Sequence, residues 1–84
     1  MNIFQVKLTL VNRNNEKIEI SCYIDISIDL EISVVEQLNT VSTVEEAATL
    51  LKFLKSINSL TVDLRKINES NYIKFAKSIY RQYR

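Results

Sequence analysis

Residues 17–33 read KIEISCYIDISIDLEIS, in which every even position from Ile18 to Ile32 is apolar and every odd one is polar except Tyr23. Strand side chains point alternately to two faces, so this run specifies a ribbon with one buried face and one wetted face. A ribbon needs a partner, and the preceding residues supply one. Phe4, Val6, Leu8 and Leu10 alternate with Gln5, Lys7 and Thr9, and the intervening NRNNE at 12–16 is rich in asparagine. In a chain without glycine, asparagine is the residue best able to enter the left-handed conformation of a tight turn. The pattern predicts a β-hairpin of Asn2–Val11 and a second strand from Lys17. Pairing about Asn14 makes partner numbers sum to about 28–30, so the first strand ends opposite Asp25 to Ile28 while the alternation runs on to Ile32. The overrun must bend, pair elsewhere or change structure. Leu30, Val34 and Leu38 also fit a short helix capped by Asp29, so 29–39 is read as either strand or helix.

Beyond it the elements are shorter. Ser42 with Glu45 has capping-box spacing, and Thr43 to Ile57 contains good helix formers with no breaker. Val44, Ala47, Ala48, Leu51 and Leu54 form one apolar stripe, widened by Leu50, Phe53 and Ile57, so this helix is covered on most sides. Leu60, Val62 and Leu64 alternate with Thr61, Asp63 and Arg65 and predict a third strand. Asn68 or Ser70 caps a last helix with Tyr72, Phe75, Ala76, Ile79 and Tyr83 on its apolar face. The expected fold is a single α+β domain over residues 1–84, a small two-layer sandwich. Its order is ββ(α)αβα, a hairpin then helix-strand-helix, with the helices on one face of an antiparallel or mixed sheet.

The residue types that are missing narrow the function. With no histidine and one cysteine among 84 residues, His-based catalytic pairs and His- or Cys-rich metal sites are excluded. With no glycine, phosphate-cradling Walker loops and dinucleotide fingerprints are excluded as well. Asp25, Asp29 and Glu31 share the ribbon's polar side, but residues two apart on a strand lie about 7 Å apart, too far to hold one ion unaided. Glu45 and Glu46 are explained as acids facing a positive helix end. Cys22 lies on the apolar face and is read as a core residue. The chain is therefore expected to be non-enzymatic, without cofactor, metal or small-molecule substrate. No continuous apolar run or secretory pattern is present, so a cytoplasmic location without membrane contact is expected.

Charge is unevenly placed. Residues 1–42 carry three cations against six acids, and residues 43–84 carry eight against four, giving −3 and +4. Such asymmetry suits self-association or a charged partner. Lys74, Lys77, Arg81 and Arg84 fall in one arc of the last helix near Tyr80 and Tyr83, a candidate face for nucleic acid or an acidic partner; the alternative is a solvated surface. Ile26, Ile28, Leu30, Leu50, Phe53 and Ile57 are the candidate self-association residues. The expectation is a protein–protein interaction module and homodimer. Richness in Ile, Asn and Lys adds an analogy to phage or mobile-element inhibitors of host proteins. Nucleic-acid binding through the C-terminal helix is the alternative.

Overall fold

The computed structural model describes residues 2–26 and 31–83. Strands β1 (Asn2–Val11) and β2 (Lys17–Ile26) form an antiparallel hairpin whose partners run from Asn2↔Ile26 to Val11↔Lys17, so each pair of numbers sums to 28. Asn12 organises the turn. Its side-chain carbonyl accepts the N–H groups of Asn14 (2.8 Å) and Glu16 (2.9 Å), and its own N–H donates to the Glu16 carbonyl at 2.9 Å. Asn15 occupies the left-handed region at φ 62°. Asn15→Ala is therefore expected to cost about 1 kcal/mol, because a Cβ without a polar group is strained there, while Asn15→Gly stays within a few tenths. Urea denaturation of the two variants checks this.

The expected two faces are present. Val6, Leu10, Cys22, Ile24 and Ile26 are buried, and Phe4, Leu8 and Ile20 pack beside them. The odd-numbered residues face outward, where Gln5 Nε2 donates to Ser21 Oγ at 2.6 Å. Past the hairpin the helical alternative holds: α1 spans Glu31–Thr40. Val34, Leu38 and Val41, spaced by four and three, are all buried. Alternation through Glu31 and Ile32 is thus overridden by the helical spacing that starts there. The proposed cap, Asp29, lies outside the described residues.

Helix α2 spans Val44–Ser56 and its N-cap is Thr43, not Ser42. The Thr43 hydroxyl accepts the Glu46 N–H at 3.1 Å, and Glu46 Oε1 accepts the hydroxyls of Thr43 (3.0 Å) and Ser42 (3.2 Å). Two adjacent hydroxyls and two adjacent glutamates offered two registers, and the cap forms one residue later than the sequence spacing suggested, with Glu46 meeting the two hydroxyls. At the other end Asn58, at φ 60°, donates to the Lys55 carbonyl while Ser59 donates to that of Leu54. This paired pattern usually employs glycine, and asparagine replaces it here.

The third strand shrinks to one antiparallel bridge, Ile24↔Leu60, with Asp25 N–H donating to the Ser59 carbonyl at 2.9 Å. The Thr61 hydroxyl then bonds both the N–H and the carbonyl of Tyr23, doing a strand's work with a side chain. Asp63 caps a 3-10 turn at Leu64–Lys66 by accepting the Arg65 N–H. Leu60 and Leu64 are nevertheless buried, so the alternation correctly marked which side chains face inward. A second 3-10 turn, Glu69–Asn71, is capped by Asn68 and opens directly into α3 (Tyr72–Gln82).

Helix α3 contacts β1, α1 and α2, placing all three helices on the hairpin's apolar face. Phe75, Ala76 and Ile79 are completely buried there. Alternate residues of β1 turn their N–H and carbonyl away from β2 and need other partners. Two side-chain amides supply them. Gln82 accepts the Lys7 N–H (3.0 Å) and donates to the Lys7 carbonyl (2.9 Å); Asn71 does the same for Val11 at 3.4 and 3.3 Å. The outer edge of β1 is thereby closed at two points.

Candidate functional site

The basic arc of α3 is less free than its spacing suggested. Lys74 is exposed, but Lys77 is half-buried and its Nζ donates to the Asn39 carbonyl at 2.7 Å. That carbonyl belongs to the last turn of α1, where helical acceptors lack internal partners and cations are favoured. Lys77 thus braces α3 against α1. Arg81 Nη2 donates to Ser78 Oγ at 3.0 Å, and Arg84 lies outside the described residues. Tyr83 is not available to a ligand in full, since its ring meets Phe4 edge-to-face at 5.3 Å.

The self-association residues also divide. Ile26 and Leu50, 1% and 4% exposed, belong to the core of the single chain and cannot serve an interface. Ile28 and Leu30 lie outside the described residues. Phe53 and Ile57 remain exposed on α2. Sequence periodicity placed Leu50 and Phe53 on one flank; the two lie about 60° apart round the helix, and the edge of the buried face falls between them.

A more exposed apolar pair was missed. Ile3 and Tyr23 are 55% and 56% exposed on the outer face of the hairpin. Ile3 pairs with Asp25 and Gln5 with Tyr23, so the two apolar side chains are diagonal neighbours on one surface. Beside them lies a shallow depression of about 540 Å³ lined by Gln5, Lys7, Leu8, Thr9, Glu19, Ile20 and Ser21. The signal was present in the sequence, because Tyr23 is the one break in the polar positions of the ribbon.

Residues distant in sequence also converge on a groove of about 630 Å³. Arg13 from the turn, Lys52 and Lys55 from α2, and Asp63, Arg65 and Glu69 from the connection to α3 line it, with Leu64 and Tyr72. Arg13 is positioned by its Nε, which donates to the Arg65 carbonyl at 2.8 Å. Arg65 and Asp63 form the one ion pair among the described residues, at 3.1 Å. The hydrogen bonds from Arg65 hold the Asp63 carboxyl below its usual range. Among charge patterns, only the proximity of Lys52 to Lys55 on one helix side hinted at this cluster.

Cys22 is buried, and desolvation pushes its thiol up to about 11. The thiolate is the reactive form, so alkylation at pH 8 is expected to be slow in the native protein and fast in denaturant. The sign of the shift has a second effect. The native state holds its proton where the unfolded chain has lost it, so this contribution to stability is complete below pH 9 and declines as pH rises toward 11. Thiol titration with and without urea, and urea midpoints across that window for the protein and Cys22→Val, check both statements.

Among the described residues no three Cys, Asp or Glu side chains stand close enough to hold one metal ion, and no helix is long and apolar enough to cross a membrane. No protein-family model, curated protein or solved structure matches this chain.

Proposed function

We propose that the protein is a non-enzymatic interaction module that docks a protein partner on the outer face of its hairpin. The observation that supports this most is the Ile3–Tyr23 pair. These are the two most exposed large apolar side chains among the described residues, they are adjacent, and they lie on a sheet face that no helix covers. Aromatic and branched apolar residues beside a depression of mixed polar and apolar lining suit an interface core with its rim. A second copy of the chain is one such partner, with Phe53 and Ile57 as further contacts. Occupying a host protein's surface in this way, as phage or mobile-element inhibitors do, requires none of the catalytic residue types the chain lacks. Nucleic-acid binding along α3 is supported less, because Lys77 is engaged by Asn39.

The test pairs sedimentation with affinity capture from nuclease-treated lysate, using the protein and Ile3→Glu/Tyr23→Glu. A nuclease-resistant prey, or a dimer, that is lost in the variant supports the reading and tells a foreign partner from self-association. Association that survives the double substitution, or that disappears with nuclease, overturns it.

A further inference from the structure

The groove between the hairpin turn, α2 and the 3-10 turn before α3 gathers four cations from three segments: Arg13, Lys52, Lys55 and Arg65. We infer that this groove is a second binding site, one that takes an extended peptide segment with acidic residues flanking an apolar one. The cations reach the groove from separate elements, Arg13 from the turn after β1 and the two lysines from α2. Among the described residues three of the four have no carboxylate partner. Arg65 is matched by Asp63, but no carboxylate of the described residues pairs with Arg13, Lys52 or Lys55. The Nε contact to the Arg65 carbonyl orients the Arg13 guanidinium and leaves its two terminal amino groups for a ligand. That fork matches a carboxylate by two parallel hydrogen bonds.

The remaining lining selects among anions. Glu69 and Asp63 share the groove, which suits a ligand of mixed chemistry better than a continuous polyphosphate. A nucleic-acid strand would also want exposed rings on which to stack bases. The ring that lines the groove, Tyr72, is 3% exposed, and its hydroxyl donates to the Leu64 carbonyl at 3.3 Å. Leu64, 8% exposed, and Tyr72 only floor the groove; the methylene stems of Arg13, Lys52 and Lys55 supply the accessible apolar surface along which an apolar ligand residue can lie. The site lies by the turn, whereas Ile3 and Tyr23 lie toward the opposite end of the hairpin, so it can be measured in a protein whose outer face has been altered.

The test is fluorescence anisotropy with a short labelled peptide of Glu-Glu-Leu-Glu-Glu core, its Gln-Gln-Leu-Gln-Gln counterpart, and a single-stranded RNA of equal length. Saturable binding of the acidic peptide is expected, weakened about tenfold or more in Arg13→Gln/Lys52→Gln and by less than about twofold in Lys7→Gln/Lys74→Gln, which removes the same charge elsewhere. The glutamine peptide should bind at least about tenfold more weakly, and rising salt should weaken the acidic one. Equal losses in the two double variants would reduce the effect to net charge and overturn the site. RNA binding as tight as the peptide's, or absence of saturation, would overturn it too.

Discussion

Phe75→Ala is expected to destabilise the fold by about 3–5 kcal/mol, the range for emptying a large aromatic site in a closed core. Phe75 is completely buried at the centre of α3, the helix that contacts β1 and both other helices. Its removal would leave a void bordered by several elements at once, which cannot all move inward together. A domain of this size has a net stability at the low end of about 5–15 kcal/mol, so a substantial unfolded population should appear at room temperature. Leu51→Ala, also fully buried, should cost about 2–5 kcal/mol, and the neighbouring exposed Lys52→Ala less than about 0.5. Urea titrations of the three variants at constant m-value give the comparison. A Phe75→Ala midpoint close to that of Lys52→Ala would mean that α3 does not organise the core.

Asn71→Leu should cost about 1–3 kcal/mol, although leucine adds apolar surface and is close in size. Asn71 is 9% exposed and joins the N–H and carbonyl of Val11 through its amide. The Val11 carbonyl keeps a second donor, the Asn68 N–H at 3.2 Å, whereas the Val11 N–H keeps none among the described contacts. The cost is therefore mainly that of one stranded donor. Gln82→Ala provides the contrast. Gln82 makes the same paired contact to Lys7 with better geometry, at 3.0 and 2.9 Å, but in water-exposed surroundings. Water can replace it there, and less than about 1 kcal/mol should be lost. If the two variants have equal midpoints, burial is not what sets the strength of these contacts. Amide exchange at Val11 and Lys7 would locate the opening in each variant.

The difference between those two amides marks the boundary of what the sequence reveals. Periodicity identified the hairpin, its register and most inward residues of β1, β2, α2 and α3, because burial acts on every second or every third to fourth residue, but it wrongly counted Phe53 and Ile57 as covered. It did not separate a paired strand from an extended stretch at Leu60 to Leu64, since both bury alternate side chains. Whether such a stretch pairs depends on what neighbours it; here the Thr61 side chain takes the Tyr23 backbone of β2, and Asp63 turns the chain by accepting the nearby Arg65 N–H. The basic arc of α3 was legible as spacing, but the engagement of Lys77 was not, because Asn39 is 38 residues away in the chain. The groove cations were invisible for the same reason: Arg13, Lys52 and Arg65 meet only once the turn, α2 and the final connection have packed. Tyr23 was legible as the one apolar residue among the polar positions of its own strand, but its meeting with Ile3 of β1 on the outer face was not.

During synthesis the closure of β1 by Asn71 and Gln82 sets an order of events. The hairpin is translated before the helix that shelters it. From Ile26, where β2 ends, to Gln82 the ribosome adds 56 residues, which at about 5–20 residues per second takes roughly 3–11 s. Through that interval Val6, Leu10, Ile24 and Ile26 have no α3 against them, and Lys7 and Val11 present open backbone groups to any nascent neighbour. The polar residues on the odd positions of both strands then have a task that the finished fold no longer shows. They keep a bare two-stranded ribbon from pairing with another chain until its own last helix arrives.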